Sequence, residues 1–425
     1  MDARSGEPEI RAERRLRVLV FTSVFPNPRQ PLHGTFVFER TRHLSGVADL
    51  RVVAPIAWYR TLNCGLQAGN AGGALPVTHP RFWYPPKILP VVRGVLMALS
   101  ALPRVWRLRR EFDFDLIDAH FAYPDGYAAV LLGRWFRRPV CMTLRGTEIL
   151  QSRTASGRRL CDWAMTRAER VIAVAETLAE RARQAGVPRD RIRTIPNGVD
   201  GTRFHPMNRG EARQALGVPG AGHLVVAVGH ISPRKGFQRV VRSLPRVLEV
   251  DPDLKLVIVG GPGAEADNSA DLRALVGALG LTDRVSFAGA EPPDRVALWL
   301  GAADLFVHAS DFEGCPNVVI EAMACGRPVV ATKVGDVEQM VPAFAGCLLD
   351  NPDDDVALSE ALLTALQREW DPTEISGFAS RRSWDLVAGE VGVQWRLAVD
   401  VLADRGRRDD EKGRSGDRGV SAPEP

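Results

Sequence analysis

The sequence has few cysteines and no cysteine pair of the kind that binds metal. Its 425 residues include six cysteines, none in a C-x-x-C motif, so neither a disulfide scaffold nor a metal site built on cysteine is expected. Most of them lie within apolar runs, which is typical of small buried residues in a reducing compartment. They are Cys64, Cys141, Cys161, Cys315, Cys325 and Cys347.

Signals for export and for membrane insertion are also missing. The first fifteen residues are charged and contain no apolar core, so we expect no signal peptide. No uninterrupted apolar run reaches the roughly eighteen residues of a spanning helix. We therefore predict a cytoplasmic location.

The charge balance excludes a further class of protein. A formal net charge of +4 is small for this length, which argues against a dedicated nucleic-acid-binding protein. It still allows a basic face toward a phosphate-bearing substrate or an anionic membrane. The composition, with 45% hydrophobic residues, is globular, and the length predicts two domains rather than one core.

The most informative stretch is 310–332, S-D-F-E-G-C-P-N-V-V-I-E-A-M-A-C-G-R-P-V-V-A-T. A short apolar strand, Asp304–His308, precedes it, and the pattern then predicts a turn, a helix from about Asn317 to Ala324 and a second strand, Pro328–Thr332. Strand, loop, helix and strand form one unit of a parallel α/β sheet. The loop and the first helical turn therefore lie where such sheets bind ligands, and the helix start favours an anion such as phosphate.

Two carboxylates flank this anion site. Glu313 lies in the loop, and Glu321 follows eight residues later, about one turn inside the helix. A carboxylate accepts two hydroxyl hydrogen bonds side by side, which suits a sugar diol. The spacing alone leaves two interpretations open, a nucleotide-sugar site or an ordinary βαβ unit with solvated glutamates.

The stretch closely resembles the E-x7-E signature of the retaining glycosyltransferases of family four, which have the GT-B fold. The resemblance implies that Glu321 holds the ribose hydroxyls of a nucleotide and that Glu313 contacts the transferred sugar near its anomeric centre. It also implies that backbone N–H groups at the helix start bind the pyrophosphate. The donor-binding residues implied in this stretch are Gly314, Cys315, Asn317, Val318 and Glu321.

The resemblance also predicts the domain organisation: two doubly wound, Rossmann-like domains facing across a cleft, the first for the acceptor and the second for the nucleotide sugar. A final helix is expected to cross back to the first domain, and both charged ends of the chain are predicted to be disordered. The predicted segments are the tail 1–15, the domains 16–204 and 205–383, the helix 384–403 and the tail 404–425.

Lys235 is the predicted cation of the donor site. It follows the strand Leu224–Gly229 in the loop H-I-S-P-R-K-G, where an ammonium can neutralise a departing diphosphate. A solvated surface lysine is the alternative, although the chain has only five lysines. The family pattern G-R-[LI]-x-x-x-K-G is kept at Gly229 and Lys235, whereas His230 stands where arginine is usual.

Three loops of the first domain are predicted to face the cleft. The loop that follows the first strand ends at Gly34, and by resemblance this loop approaches the donor phosphates. His120 ends the strand Asp115–His120 and is a candidate catalytic imidazole, with a purely structural histidine as the alternative. Arg145 and Glu148 lie in R-G-T-E, where the family usually has H-G-[ST]-D, and are acceptor-side candidates.

Two segments of the first domain have less regular patterns. Residues 57–90 are rich in glycine, proline and aromatics, and we predict an extended insertion or irregular loop near the acceptor. Residues 87–110 then form an apolar stretch ending in arginines interleaved with Trp106. Such a segment suits anionic lipid headgroups, but it is equally typical of a helix that packs on the sheet with a solvated basic end.

The combined prediction is a metal-independent, hexosyltransferase-type enzyme with no cofactor, in which the nucleotide sugar is a substrate. The expected donor is a UDP- or GDP-sugar, with UDP favoured by family frequency, and the expected acceptor is a cell-envelope polysaccharide or a lipid-linked intermediate. Two alternatives are a nucleotide-sugar epimerase, which would need more acid and base groups around the sugar, and a non-catalytic sugar-nucleotide-binding partner.

Overall fold

The computed structural model describes residues 14–60, 69–71, 75–84, 90–218, 220–262, 267–351 and 353–416. Most of the predicted N-terminal tail, and residues 417–425 of the predicted C-terminal tail, lie outside these residues. The described part of the chain forms two large parallel sheets covered by helices, and we call each sheet with its helices a lobe.

The N-terminal lobe is built on an eight-stranded sheet of order β10-β9-β8-β7-β1-β2-β5-β4, in which the pairings are parallel except for β4 with β5. Two further short strands, β3 and β6, pair with each other. The strands are β1 (Leu16–Phe21), β2 (Ala48–Val53), β3 (Ile56–Ala57), β4 (Gly69–Ala71), β5 (Leu75–Thr78), β6 (Arg81–Phe82), β7 (Leu116–His120), β8 (Val140–Leu144), β9 (Arg170–Ala173) and β10 (Ile192–Thr194).

The C-terminal lobe is built on a six-stranded parallel sheet of order β13-β12-β11-β14-β15-β16. Its strands are β11 (Leu224–Val228), β12 (Lys255–Val259), β13 (Val285–Gly289), β14 (Leu305–His308), β15 (Val329–Thr332) and β16 (Gly346–Leu349).

Helices cover both faces of each sheet. They are α1 (Thr35–Leu44), α2 (Arg93–Phe112), α3 (Tyr127–Phe136), α4 (Thr147–Gln151), α5 (Ala155–Met165), α6 (Glu176–Gln184), α7 (Arg209–Leu216), α8 (Phe237–Val250), α9 (Ser269–Ala278), α10 (Pro293–Ala302), α11 (Asn317–Ala324), α12 (Val337–Met340), α13 (Asp355–Gln367), α14 (Pro372–Ser380) and α15 (Trp384–Gly416).

Alternate residues of the central strands point into different cores. In β1, Leu19 and Phe21 join the core beneath α2 and α3, whereas Val18 and Val20 join the core beneath α1 and α15. Because side chains alternate between the faces of a strand, a strand buried on both faces must be apolar throughout. This explains the continuous apolar runs that predicted the strands.

Helix α15 packs on the N-terminal lobe although it ends the chain. It contacts α1 and the strands β7, β8 and β9. Trp395 is fully buried there, and its indole Nε1–H donates to Asp118 Oδ1 at 3.2 Å. The helix runs to Gly416 and so includes residues 404–416 of the predicted C-terminal tail, whose disorder stays a prediction.

The predicted irregular insertion is wrong in part. Strands β5 and β4 extend the first sheet at its β2 edge, with Val77 aligned to Val52. Leu75 and Val77 alternate with Pro76 and Thr78, and this short two-residue period buries one face of the strand. Residues 61–68, 72–74 and 85–89 of the predicted insertion lie outside the described part of the chain.

Candidate functional site

The carboxylate of Glu313 meets a group of basic side chains in the loop between β14 and α11. Lys235 Nζ lies 2.6 Å from Glu313 Oε1, Arg234 Nη1 lies 3.5 Å from the same oxygen, and His308 Nε2 lies 3.7 Å from it. Glu313 and His308 are buried. Lys235 and Glu313 come from different strand–helix units, so the fold brings the two predicted residues together.

The charges of this group follow from its burial and its neighbours. Burial acts to raise the pKa of Glu313, but Lys235, His308 and Arg234 outweigh it and hold that pKa at about 2. Burial lowers the pKa of His308 to about 4, against the attraction of Glu313. At neutral pH the site therefore contains an ionised Glu313 and an uncharged His308.

A glycine turn brings Lys235 to this position. Gly236 follows Lys235 with a φ of +67°, and a Cβ there would collide with the carbonyl oxygen of Ala309. Only glycine fits such a close backbone approach in the left-handed region. The turn therefore fixes the loop after β11 against the end of β14, where Glu313 follows.

Helix α11 presents its first turn beside this group. Asn317 and Val318 are half-buried at its start. Glu321, one turn further on, is also half-buried, and burial raises the pKa of its carboxyl to about 7, with Arg203 opposing the rise and Glu39 adding to it. The start of α11 thus lies between Glu313 and Glu321 along the chain, and an anion site there stays a prediction.

The predicted residues of the N-terminal lobe form a buried network. His120 is fully buried, and its Nδ1 accepts from Arg145 Nε at 3.1 Å. Arg145 Nη1 donates to Asn197 Oδ1 at 3.2 Å, and Asn197 Nδ2 donates to Asn317 Oδ1 at 2.7 Å. The imidazole of His120 thus lies beneath the cleft surface, where it can affect a ligand only through its neighbours.

The side chain of Glu148 is buried and hydrogen-bonds the backbone of the loops that follow β7 and β8. It is fully buried, and its carboxylate accepts backbone N–H bonds from Ala122 at 3.0 Å, Gly146 at 2.8 Å and Arg145 at 3.2 Å. Glu148 is fully buried in this structure, and its assignment as an acceptor-side residue stays a prediction. Its effect is to hold the backbone that presents Arg145.

The glycines and His230 have different surroundings. Gly34 precedes α1 with a φ of +70°, and a Cβ there would lie 2.5 Å from the carbonyl oxygen of Val24. A Cβ on Gly314 would lie 2.5 Å from the carbonyl oxygen of Arg145, so the two lobes touch at this point. His230 is exposed after β11. Ligand contact by Gly34, Gly229 and His230 stays a prediction.

Several site residues were missed by the sequence analysis. Arg234 and His308 contact Glu313, and Asn197 links the lobes. Arg234 lies in the loop H-I-S-P-R-K-G and His308 ends the predicted strand Asp304–His308, while Asn197 lies in P-N-G-V-D, residues 196–200. Their position near strand ends could have marked these polar residues as candidates. The contact of Asn197 with the other lobe corresponds to no pattern in the sequence.

One group of potential metal ligands lies near α1. Oxygen or nitrogen atoms of Glu39, His43 and Asp200 lie within 4.8 Å of one another. Arg42 pairs with Asp200 at 2.9 Å, and Arg203 pairs with Glu39 at 3.1 Å. Arginines therefore already compensate these carboxylates.

Within the described residues, no helix combines the length and hydrophobicity needed to cross a membrane.

Comparison with known proteins identifies the relatives of this chain. Residues 67–203 match the model of Glycosyltransferase Family 4, and residues 222–368 match that of Glycosyl transferases group 1. The chain is 33% identical over 327 residues to a D-inositol 3-phosphate glycosyltransferase of Acidothermus cellulolyticus, with 72% of this chain and 71% of that protein covered. It is 28% identical over 375 residues to the putative teichuronic acid biosynthesis glycosyltransferase TuaC of Bacillus subtilis, with 84% and 91% covered.

The fold has a close counterpart among solved structures. Anabaena Alr3699/HepE in complex with UDP-glucose superimposes with a TM-score of 0.67 at 21% identity, over 92% of this chain and all of that one. Two parallel-sheet lobes of this arrangement confirm the predicted GT-B fold. The matches to the two family models and to the curated relative show that the chain is a glycosyltransferase. More particularly, the chain belongs to glycosyltransferase family 4.

Proposed function

We propose that the protein is a retaining, metal-independent glycosyltransferase that moves a hexosyl group from a nucleotide-diphosphate sugar to a cell-envelope acceptor. The observation that supports this most is the pair of Glu313 and Lys235 beside the start of α11, with Glu321 one turn further along. A diphosphate before the helix lies between a cation and two carboxylates that can hold sugar hydroxyls.

Each group has a separate task in the reaction. Backbone N–H groups of Asn317 and Val318 bind the pyrophosphate, and Glu321 accepts from the ribose hydroxyls. Lys235 offsets the charge that develops on the departing nucleoside diphosphate, the contribution a metal ion makes in other enzymes. Closure of the lobes around the donor excludes water, which otherwise competes with the acceptor.

Glu313 is not proposed as a covalent nucleophile. Glycosidases that retain configuration use two carboxylates facing each other across the scissile bond. Here Glu313 is paired to Lys235, while Glu321 lies on the far side of the helix start, committed to the nucleotide. We propose that Glu313 orients the transferred sugar and holds Lys235 in place.

The donor and the acceptor are proposed from the relatives. A UDP-sugar is favoured because Anabaena Alr3699/HepE, which shares the fold, was solved with UDP-glucose. A cell-envelope polysaccharide or lipid-linked acceptor is favoured by the similarity to TuaC, whose name assigns it to teichuronic acid biosynthesis. The acceptor is expected to bind mainly to the N-terminal lobe.

Helix α2 provides a surface that suits a lipid-linked acceptor. Its outer face exposes Leu99 by 52% and Trp106 by 51%, and the nearby Trp83 is exposed by 63%. Arg110 stacks over Trp106 at 3.7 Å, and Arg107 is exposed beside it. Aromatic and apolar side chains flanked by arginines match the interface of an anionic membrane. We propose peripheral contact of this face with the inner side of the cell membrane.

The test is a screen of nucleotides and nucleotide sugars for thermal stabilisation of the purified protein, followed by a product assay. A transferase releases nucleoside diphosphate only when an acceptor is present. An epimerase converts the donor without an acceptor, and a binding module does neither. Conversion of the donor without acceptor, or stabilisation by no nucleotide at all, would overturn the proposal.

A further inference from the structure

A continuous chain of side-chain hydrogen bonds joins the buried interior of the N-terminal lobe to the start of α11. It begins at His120, passes through Arg145 and Asn197, and ends on Asn317, the first residue of the helix. Its last bond crosses between the lobes at 2.7 Å. Backbone contact accompanies it, because Gly314 lies against the carbonyl oxygen of Arg145.

Arg145 is an unusual residue for the centre of such a chain. It is only 9% exposed, and burial, followed by repulsion from the positive charge of the buried Arg40, lowers the pKa of Arg145 well below its ordinary value. Its Nη2 has no partner among the described residues. Burying a guanidinium costs free energy unless its N–H groups form hydrogen bonds. The bonds to His120 and Asn197 offset part of this cost.

The bond from Arg145 also determines the form of His120. Arginine can only donate, so His120 Nδ1 must accept, and the ring proton is placed on Nε2. Burial, followed by the charge of Arg145, lowers the pKa of His120 well below its usual value. The imidazole is therefore neutral, and its Nε2–H faces Asp118 Oδ2 at 3.5 Å.

We propose that Arg145 is a positioning residue that couples closure of the two lobes to the placement of α11, acting through Asn197, and that it fixes His120 as the Nε2–H tautomer. Through this coupling, the lobes close with the helix start correctly aimed at the donor diphosphate. The inference rests on the proposed function, since it concerns the same donor site.

Lysine cannot replace this arginine. The guanidinium donates from Nε to His120 and from Nη1 to Asn197 in one plane, whereas an ammonium is a single point on a flexible chain. Asn197 is equally specific, because it accepts from Arg145 with Oδ1 and donates to Asn317 with Nδ2. The carboxamide of asparagine places the acceptor and the donor on two separate atoms, so it can make both bonds at once.

The kinetic test uses Arg145→Lys, Asn197→Ala and the double variant. Each single variant is expected to lower kcat roughly tenfold to a hundredfold, the range of a hydrogen bond to a charged group. The donor KM should change less than about threefold, because neither residue is among the proposed donor-binding residues. The double variant should be no worse than the poorer single variant, whereas multiplicative losses would overturn the coupling.

Two measurements without turnover separate this inference from the proposed function. Small-angle scattering with UDP should show a larger radius of gyration for Asn197→Ala than for the wild type. Nitrogen NMR of His120, assigned with His120→Gln, should show the Nε2–H tautomer in the wild type and a mixture in Arg145→Lys. Arg193→Ala, a change of the exposed residue in the preceding strand β10, is the control.

The outcomes are distinct. If the wild type transfers sugar while Asn197→Ala matches it in kcat and scattering, the inference fails and the function stands. If the wild type transfers no sugar but the tautomer and scattering change as expected, the coupling stands and the function fails. Should Arg145→Lys not fold, Asn197→Ala alone decides the question, because it leaves the buried guanidinium in place.

Discussion

At the scale of single residues, the pair of Lys235 and Glu313 leads to the first prediction. Lys235→Ala should lower turnover roughly a hundredfold while changing nucleotide affinity much less, because the ammonium acts mainly on charge that develops during the reaction. The measurement is steady-state kinetics together with calorimetric binding of UDP. Lys333→Ala, which removes an exposed pair with Asp350 in the same lobe, is the matched control. An equal loss in both variants would contradict the assignment.

The pKa of Glu321 leads to the second prediction. Because burial raises it to about 7, the carboxylate that accepts from the ribose forms only as the pH rises, so UDP affinity should increase from about one unit below to one unit above that value. Glu321→Gln should bind UDP more weakly. The ratio of wild-type to Glu321→Gln affinity cancels titration of the nucleotide itself, and a ratio independent of pH would contradict the prediction.

Glu321 also affects the stability of the free protein in a defined direction. The pKa of Glu321 rises from its ordinary value of 4.5 to about 7 in the folded state. The folded protein therefore holds this proton more tightly than the unfolded chain does. The resulting contribution to the free energy of unfolding is complete below about pH 4.5 and is lost as the pH rises through about 7. Glu321→Gln removes this dependence, because an amide does not titrate.

The sequence predicted individual site residues where chemistry and position within a motif were sufficient. Glu313, Lys235 and Glu321 could be located because a strand end or helix start determines where each side chain lies. Arg234, His308 and Asn197 could not, because their contacts join segments far apart in the chain. The burial of His120 and Glu148 was equally hidden, since it depends on how neighbouring loops cover them.

At the scale of elements, the outer face of α2 leads to the third prediction. Leu99→Ser with Trp106→Ser should reduce co-sedimentation with vesicles rich in phosphatidylglycerol, because it removes the exposed apolar contact. Binding by the wild type should weaken with added salt, since the arginine contribution is screened. Val250→Ser changes a residue that is 57% exposed in the other lobe and serves as control. Unchanged binding by the double variant would exclude α2 as the membrane contact.

Element bounds followed the hydrophobic pattern closely wherever a segment was buried in one regular way. The helix Asn317–Ala324 begins and ends where the sequence predicted. The predicted strands Asp304–His308 and Pro328–Thr332 each begin one residue later in the structure. The pattern did not predict β4 and β5, because both strands are short and β5 contains Pro76, which is unusual inside a strand.

At the scale of the whole molecule, the GT-B arrangement could be predicted only through the resemblance. Hydrophobic runs predict two parallel sheets, but they do not determine how the sheets face each other. The contacts between the lobes include a glycine against a carbonyl group, a bond between Asn197 and Asn317 and an ion pair between Arg203 and Asp294. Such contacts give no signal in the composition or the hydrophobic periodicity of the sequence.

The return of α15 to the N-terminal lobe leads to the last prediction. Trp395 is fully buried among residues of β1 and donates to Asp118, so the first lobe depends on a helix that follows the second. Trp395→Ala should lower the free energy of unfolding by about 3–5 kcal/mol, measured by denaturant titration. Val393→Ala, on the same helix but 54% exposed, should change it by less than about 0.5 kcal/mol. If both variants unfold alike, α15 does not complete the N-terminal core in solution.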